Sequence, residues 1–356
     1  MADKPAIPQK GESPIWYFYR QFTRRPAPVR GVDLRGRTAI VTGSNTGLGF
    51  EVSRQLLGLG LSRLILAVRS EEKGKAAAAR LAEDLPRRQE DRDVAVIEVW
   101  PLDLSAYDSV VAFARRAHAS LDRLDHVVLN AGMWQPVART FNASTGHDET
   151  VQVNYLSTAL LALLLLPVAK AKRAAGGQPQ PTRITFVSSE VAGFTKFAEG
   201  RSQGSVPILA ALDSREGKFD PLDRMFVGKL LQQFFVTELA GRVPPSAALV
   251  NACSPGSVYG TDFNRETPPG ALTKFVWSYV GSSPSVGARM ITDAAVNHGD
   301  ETHGQFLSFQ EVVGKAPIIY SPEGKKISEQ LWKETMAEFA FANVEDILRD
   351  VTATES

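Results

Sequence analysis

Six short apolar runs, separated by long stretches with helical periodicity, constrain the fold of this chain more than any other feature. Most of these runs are apolar at every position, which is typical of parallel strands buried on both faces. Strands that alternate with helices predict an α/β fold with a single doubly wound parallel sheet and helices on both of its faces. The predicted strands are Thr38–Val41, Leu64–Val68, Val94–Val99, His126–Leu129, Ile184–Val187 and Leu249–Ala252, with a weaker one at Gln305–Phe309.

The 356 residues are enough for one large core, and no internal repeat divides them. We expect an N-terminal arm at residues 1–36, one domain at 37–340 and a C-terminal tail at 341–356. Ligands of doubly wound sheets bind beyond the carboxyl ends of the strands. The search for a functional site therefore concentrates on the residues that follow each predicted strand.

A glycine-rich turn follows the first predicted strand and leads directly into a helical pattern. Glycines in such a turn allow the backbone to approach a pyrophosphate, and the helix behind it presents free N–H groups. The spacing differs from the common dinucleotide fingerprint G-x-G-x-x-G. The turn is a predicted cofactor phosphate site, and its residues are Gly43, Asn45, Gly47, Leu48 and Gly49.

The second strand ends in Leu66-Ala67-Val68-Arg69-Ser70, and no acidic residue occurs before Glu71. Sites that prefer NAD usually place an acidic side chain here, where it accepts a hydrogen bond from the ribose 2′-hydroxyl. An arginine pairs instead with a 2′-phosphate. Arg69 therefore favours NADP(H), the alternative being a solvated loop charge.

The glycine spacing resembles that of the short-chain dehydrogenase/reductase family, which has a Rossmann-type fold. Further strand-end motifs carry the resemblance: Pro101-Leu102-Asp103-Leu104, Asn130-Ala131-Gly132 and Pro255-Gly256. The arm, its Pro-rich continuation and Ile208-Leu209-Ala210-Ala211-Leu212 resemble the retinol-dehydrogenase-like fungal branch. The resemblance implies that Asp103 contacts adenine, that Asn130 lies beside the adenosine ribose, and that Val258 and Thr261 contact the nicotinamide amide and phosphates.

The same resemblance implies a catalytic Asn, Ser, Tyr and Lys. Asn154 matches the first, Ser189 the second with Ser188 as the alternative, and Lys229 the last, where it also holds the cofactor ribose. The tyrosine position, four residues before the lysine, is Met225. A thioether has no proton to give, and loss of a positioned general acid typically costs roughly 10²–10⁴-fold in rate.

Two tyrosines near the predicted site, Tyr155 and Tyr259, could replace the missing acid, but packing or substrate binding is the favoured interpretation of both. His147, just before a helical pattern, is predicted to be a surface or cap residue. Residues 193–223 and 257–285 are predicted to wall the substrate pocket. Their aromatic side chains favour an apolar ligand; they are Phe194, Phe197, Phe219, Phe263, Phe275, Trp277 and Tyr279.

Three functions remain open. The favoured one is an NADP(H)-dependent oxidoreductase with a nonstandard proton donor, acting on a hydrophobic small molecule; the resemblance implies fungal secondary-metabolite biosynthesis. The second is a non-redox isomerase or cyclase on the same fold. The third is a non-catalytic cofactor-binding protein.

Composition limits partners and compartment. A net charge of +1 gives no general attraction to nucleic acid. The single cysteine, Cys253, allows no intrachain disulfide or zinc site and fits the reducing cytoplasm. The longest apolar run, Ala159–Val168, falls short of the roughly 20 residues that span a bilayer, so no transmembrane segment is expected. The apolar helix face from Leu156 to Leu166 predicts core packing or a homodimer.

Overall fold

The computed structural model describes residues 14–84, 95–174, 180–201, 206–260 and 281–353, and these contain eight strands. The strands are β1 (Thr38–Thr42), β2 (Arg63–Val68), β3 (Val96–Pro101), β4 (His126–Leu129), β5 (Thr182–Val187), β6 (Ala248–Cys253), β7 (Phe306–Ser308) and β8 (Glu311–Val313). They form one sheet in the order β3-β2-β1-β4-β5-β6-β7-β8. Only the last pair, β7 with β8, is antiparallel. The predicted doubly wound sheet is confirmed, and β8 is an addition to it.

Eleven α-helices connect and flank the described strands. They are α1 (Pro14–Thr23), α2 (Gly47–Gly58), α3 (Glu71–Glu83), α4 (Tyr107–Ser120), α5 (Glu149–Val151), α6 (Ser157–Ala174), α7 (Ile208–Asp213), α8 (Pro221–Arg242), α9 (Pro284–Val296), α10 (Pro322–Glu338) and α11 (Val344–Thr352). A π-helical turn, Gln152–Leu156, joins α5 to α6 in one continuous helix.

The sheet separates two apolar cores because successive strand residues point to opposite faces. Along β1, Ile40 belongs to the core under α4, α6 and α8, whereas Ala39 and Val41 belong to the core under α2, α3 and α9. All five β1 residues are buried, as a central strand covered on both faces requires.

The helix α6 is the main helix of the core that lies under α4, α6 and α8. Among the described residues, the helical stretch Glu149–Lys172 is long and apolar enough by composition to cross a membrane, but 89% of its apolar window is buried inside the protein. Leu160 and Leu163 are fully buried within the single chain. The helix α11 packs against α6 and contributes Val344 and Val351 to the same core. The apolar face that predicted core packing or a homodimer is thus covered by this chain's own C-terminal segment.

The N-terminal arm also packs on the domain, and part of it is helical. The sequence did not predict α1, which lies against the 3₁₀ turn that follows β5. After α1 the chain runs past the β7–β8 hairpin. There the backbone of Ala27 pairs with the side-chain amide of Gln310, at 2.8 and 3.0 Å. Arg24 forms an ion pair with Glu311 at 3.2 Å. The first part of the arm therefore lies at the carboxyl edge of the sheet, where the predicted site lies.

Candidate active site

The turn between β1 and α2 has the conformation that a phosphate site needs. Gly43 and Gly47 have positive φ angles of 63° and 58°, which favour glycine. A Cβ on Gly49 would lie 2.5 Å from the Gly43 carbonyl oxygen and 2.6 Å from the Asn130 amide nitrogen. These glycines therefore let the loop fold tightly over the start of α2. Thr46, which precedes α2, makes no side-chain capping bond, so the first N–H groups of the helix stay available to an anion.

The other two loop residues have different surroundings. Asn45 is half-buried within the turn. Leu48 is also half-buried, and its side chain reaches α9: a Cβ on Gly287 would lie 3.0 Å from the Leu48 Cδ2 and 2.5 Å from a methyl carbon of Val258. Leu48 and Val258 thus meet over one glycine of α9. This contact brings the phosphate turn next to the segment that follows β6.

Arg69 is exposed at the end of β2, beside the glycine turn. The backbone N–H of Gly43 donates to the carbonyl of Ala67 at 2.8 Å, which fixes the turn next to the end of β2. Within the described ranges, the Arg69 guanidinium has no hydrogen bond or ion pair. Ser70 caps α3 by accepting from the backbone N–H of Lys73 at 3.3 Å. Arg69 is therefore an uncommitted cation beside the glycine turn, and its pairing with a 2′-phosphate stays a prediction.

Asp103 and Asn130 follow β3 and β4 and are half-buried. One carboxylate oxygen of Asp103 accepts from the N–H of Ser105 at 2.9 Å, which shapes the turn before α4. The Asn130 amide donates to the Thr42 carbonyl at 2.9 Å, and the N–H of Asn130 donates to the Thr42 hydroxyl at 2.9 Å. Asn130 therefore braces the phosphate turn. The contacts of Asp103 with adenine and of Asn130 with ribose stay predictions.

Asn154 lies in the π-turn between α5 and α6 and is fully buried. Its side chain accepts from the N–H of Met133 at 2.7 Å and donates to the Met133 carbonyl at 2.8 Å. Its backbone carbonyl accepts from the side chain of Gln232 at 2.7 Å. A π-turn in a long helix frequently marks a functional site. The sequence did not single out Gln232, which binds Asn154 across the interface between α8 and the π-turn.

Lys229 points from α8 to the end of β5, where its ammonium donates to the Val187 carbonyl at 2.7 Å. Burial lowers the pKa of Lys229 to about 8, although a smaller effect of Cys253 raises it. Met225 is half-buried one helical turn earlier on α8, and residues four apart lie on the same helix face. The site thus places a thioether beside a buried, proton-bearing amine.

The two serines after β5 have different hydrogen-bond partners. Ser188 is buried, and its hydroxyl donates to the Lys229 carbonyl at 3.0 Å. Ser189 is half-buried and accepts from the N–H of Val191 at 3.3 Å, capping the 3₁₀ turn Glu190–Gly193. Ser188 is committed to α8, which leaves Ser189 as the candidate catalytic serine. Its catalytic role stays a prediction.

The helix α1 covers the end of β6, an arrangement that no local sequence pattern indicates. Tyr17 is buried, and its hydroxyl hydrogen-bonds to the Ser257 hydroxyl. Gln21 binds the same residue twice: its side-chain oxygen accepts from the Ser257 N–H at 3.0 Å and its amide donates to the Ser257 carbonyl at 3.4 Å. Thr261, also predicted to contact the cofactor, lies outside the described residues.

The residues of the predicted aromatic wall have different surroundings, and their role in a substrate pocket stays a prediction. The Phe194 ring stacks on Phe18 at 6.4 Å and meets Phe226 edge-on at 6.1 Å. Phe197 is fully buried, 6.3 Å from Phe234, and belongs to the core. Phe219 lies under the Arg139 guanidinium. The remaining predicted wall residues lie outside the described ranges: Phe263, Phe275, Trp277 and Tyr279.

The two alternative tyrosines are also placed. Tyr155 is fully buried, and its hydroxyl pairs with that of Thr335 at 2.7 Å, which confirms the packing interpretation. Burial raises the pKa of Tyr155 far above its ordinary value. Tyr259 is 38% exposed at the edge of the described segment after β6.

Known proteins share both the sequence and the fold. A family model described as short chain dehydrogenase matches residues 37–201. The short-chain dehydrogenase fogG of Aspergillus ruber is 43% identical, with 97% of each chain covered. The short chain dehydrogenase/reductase mfmJ of Annulohypoxylon moriforme is 41% identical, with 95% of each chain covered.

Solved structures agree at the level of the fold. An uncharacterised protein from Mycobacterium paratuberculosis superposes with a TM-score of 0.57 and 23% identity, covering 89% of this chain and 95% of its own. The Pseudomonas aeruginosa RhlG/NADP complex superposes with a TM-score of 0.57 and 21% identity, covering 78% and 98%. With the sheet order, the glycine turn and the relatives in agreement, this chain belongs to the short-chain dehydrogenase/reductase family of oxidoreductases.

Proposed function

We propose that this protein catalyses NADP(H)-dependent hydride transfer to or from a hydrophobic small molecule, with a proton donor other than the usual tyrosine. The observation that carries the cofactor choice is Arg69, exposed and uncommitted at the end of β2 beside the glycine turn. A guanidinium can bind a 2′-phosphate through two parallel hydrogen bonds, which a ribose hydroxyl does not offer.

The described residues fit the cofactor. The turn Gly43–Gly49 and the start of α2 would hold the pyrophosphate, Arg69 the 2′-phosphate and Lys229 the ribose on the nicotinamide side. Bound NADPH would supply a hydride to a carbonyl carbon of the substrate. Asn154 would keep α8 and the π-turn in register through Gln232 and Met133. Ser189 would donate its hydroxyl proton in a hydrogen bond to the substrate oxygen.

The apolar nature of the substrate is supported by Phe194 and Phe226, whose rings meet edge-on between α8 and the turn that follows β5. The fungal sources of the relatives support a role in secondary-metabolite biosynthesis. The single cysteine, Cys253, is buried and free, which supports a reducing compartment such as the cytoplasm. A non-redox isomerase or cyclase, or a non-catalytic cofactor-binding protein, is favoured instead by Met225.

Cofactor titration tests the proposal. NADPH fluorescence should show tight binding to the full chain, and Arg69→Asp should weaken it roughly 10-fold or more, because hydrogen bonds to charged groups contribute about 1.5–3 kcal/mol. NADH binding should be spared or improved. The matched control is Arg115→Asp, the same charge change at an exposed position of α4. Unchanged NADPH affinity in Arg69→Asp would disprove the cofactor assignment.

Turnover separates the proposed oxidoreductase from the two alternatives. Wild-type protein should consume NADPH with apolar carbonyl compounds such as α-tetralone or naphthaldehyde. Tight NADPH binding without consumption on such a panel would transfer support to the isomerase or cofactor-binding alternatives.

A further inference from the structure

Residues of α1 contact Ser257, which precedes the predicted nicotinamide contact Val258. The Tyr17 side chain is 6% exposed, although four neighbouring aromatic residues of α1 are largely exposed. Its hydroxyl is held by Ser257, and Gln21 fixes the backbone of that same residue. A Cβ on Gly256 would lie 2.8 Å from the Gln21 side-chain oxygen, so the close approach of α1 depends on a glycine there. The helix is therefore fitted to the end of β6.

An aromatic cluster connects Tyr17 with the position of Met225. The Tyr17 and Phe194 rings are 6.2 Å apart, and Phe194 lies 6.1 Å from Phe226, which directly follows Met225 on α8. Both pairs have the edge-on geometry that aromatic rings prefer. Phe194 thus joins Tyr17 of α1 to Phe226 of α8, the residue next to Met225.

A buried carboxyl group lies next to Tyr17. Glu190 directly follows Ser189, and one of its oxygens accepts hydrogen bonds from the hydroxyls of Ser308 and Ser254. Its other oxygen is buried and has no hydrogen-bond partner among the described residues. Glu190 and Tyr17 line one cavity of about 30 Å³, which is sufficient for a single water molecule.

Both groups have a raised pKa. Burial raises the pKa of the Glu190 carboxyl, although its hydrogen bonds and Arg20 oppose the rise. Burial and the negative charge of ionised Glu190 raise the pKa of Tyr17 to about 12, against the effect of its bond to Ser257. An alkoxide is a stronger base than a phenolate, and a phenolate is stronger than a carboxylate. Proton transfer from Tyr17 to a nascent alkoxide, and from Glu190 to the phenolate, therefore runs downhill in both steps.

We propose that Tyr17 is the proton donor that replaces the missing tyrosine at Met225, and that Glu190 restores its proton. This inference rests on the proposed NADPH-dependent reduction. As the carbonyl carbon gains the hydride and its C=O π bond opens, the oxygen forms an O–H bond with the Tyr17 proton, whose own O–H bond breaks. The Glu190 carboxylic proton then passes across the cavity to the phenolate, and the carboxylate regains a proton from solvent.

The first test compares two tyrosines of the same helix. Tyr17→Phe removes only the hydroxyl and should lower kcat for α-tetralone roughly 100-fold or more, with NADPH affinity within about 2-fold because the phosphate and ribose contacts are elsewhere. Tyr19→Phe, at an exposed position of α1, should leave kcat unchanged. Thermal unfolding of each variant shows whether it is folded.

Tyr17 could act only by holding Ser257, and Ser257→Ala distinguishes that role from proton donation. A donor keeps its proton when its neighbour is removed, so Ser257→Ala should retain clearly more activity than Tyr17→Phe. Equal losses in the two variants would overturn the proposal in favour of a positioning role.

Glu190→Gln keeps an acceptor for Ser308 but has no acidic proton. The wild-type rate should fall as pH rises through the raised pKa of Glu190, whereas the variant should be slow throughout and lack that decline. The ionisable groups around Glu190 are Tyr17 and Arg20 on α1, Cys253 at the end of β6 and Lys315 after β8. A wild-type pH profile that survives in Glu190→Gln would overturn the role of the carboxyl.

A binding experiment tests the location of Tyr17 without turnover. The seven tyrosines are isotope-labelled at the ζ carbon, and the resonance missing from Tyr17→Phe is that of Tyr17. Saturation with NADP⁺ should shift this resonance and leave that of Tyr19 in place. A stationary Tyr17 resonance, or wild-type turnover retained by Tyr17→Phe, overturns this inference alone. Wild-type protein that binds NADPH but reduces no test carbonyl overturns the proposed function and this inference with it.

Discussion

Met225 and Lys229 occupy one face of α8, and only Lys229 carries a proton that could take part in catalysis. Its ammonium is nevertheless committed to the Val187 carbonyl, and burial lowers its pKa. A buried amine in that position is suited to hold a ribose hydroxyl. At the scale of the residue, the proposed function therefore assigns Lys229 to the cofactor and leaves Met225 in the place of the usual acid.

Met225→Tyr should raise α-tetralone reduction about 10-fold or more, because Lys229 is four residues further along the same face of α8. In a double variant with Tyr17→Phe it should also restore activity, since the phenol at position 225 could then donate the proton. NADPH consumption by the two variants measures both effects. Phe226→Tyr adds the same hydroxyl on a different helix face and is the matched control.

If the protein is an isomerase or cyclase instead, Met225→Tyr should have the reverse result. The new hydroxyl would then be a buried, poorly paired group that costs roughly 1–3 kcal/mol. Loss of the native activity without any gain in carbonyl reduction would support the isomerase or cyclase alternative.

Lys229→Ala should weaken NADPH binding roughly 10-fold, because the ammonium would no longer hold the cofactor ribose. Lys326→Ala, an exposed lysine of α10, is the control. Fluorescence titration of both variants gives the affinities. Intact affinity with abolished turnover would instead make Lys229, or a water beside it, the proton source.

The element that most constrains the site is the β1–α2 unit. Gly49 lies in the first turn of α2 against the Gly43 carbonyl and the Asn130 amide, with no room for a side chain. Gly58, at the other end of α2, has nothing within 4 Å of a Cβ built on it. The two glycines of one helix thus serve different purposes.

Gly49→Ala should weaken NADPH binding and lower the free energy of unfolding by about 1–3 kcal/mol, because the loop backbone must move to admit the methyl group. Gly58→Ala should leave binding unchanged and stabilise the protein by up to about 1 kcal/mol, since alanine is favoured in helices. Thermal unfolding with and without NADPH measures both effects. Equal behaviour of the two variants would show that the close contacts at Gly49 relax without consequence.

Across the whole molecule, a buried ionic cluster joins segments that are distant in sequence. His147 was predicted to be a surface or cap residue, but only 8% of it is exposed. Its ring nitrogens contact Asp213, at the end of α7, at 2.6 Å and Glu338, at the end of α10, at 3.1 Å. Burial alone would lower the pKa of His147, but the hydrogen bonds and charges of both carboxylates raise it from 6.5 to about 9.

His147→Asn should therefore lower stability in a pH-dependent way. A raised pKa stabilises the folded state fully below pH 6.5, and this contribution is lost as pH rises through about 9. Each pKa unit corresponds to about 1.4 kcal/mol, so the loss is at most roughly 3.5 kcal/mol. The Tm difference from wild type should be largest below pH 6.5 and small above 9. His118→Asn, on the exposed side of α4, is the control. A Tm difference for His147→Asn that does not change with pH would contradict the link between the raised pKa of His147 and stability.

The sequence by itself determined the sheet, the glycine turn and the positions of Lys229 and Asn154. Strand and helix periodicity is local, and each motif consists of neighbouring residues at the end of one strand, so these features do not depend on distant parts of the chain. The predicted strands accordingly lie within one or two residues of the observed ones wherever the structure describes them, as at His126–Leu129.

Only the tertiary structure decided which other side chains join the site. Tyr17 and Ser257 are 240 positions apart, and Asn154 and Gln232 are 78 apart. Burial of His147 likewise depends on α7 and α10, and the choice between Ser188 and Ser189 depends on how α8 approaches β5. Such contacts have no periodicity in the sequence, because they arise where helices and loops pack across the sheet. A side chain's partners and its pKa are therefore set by that packing.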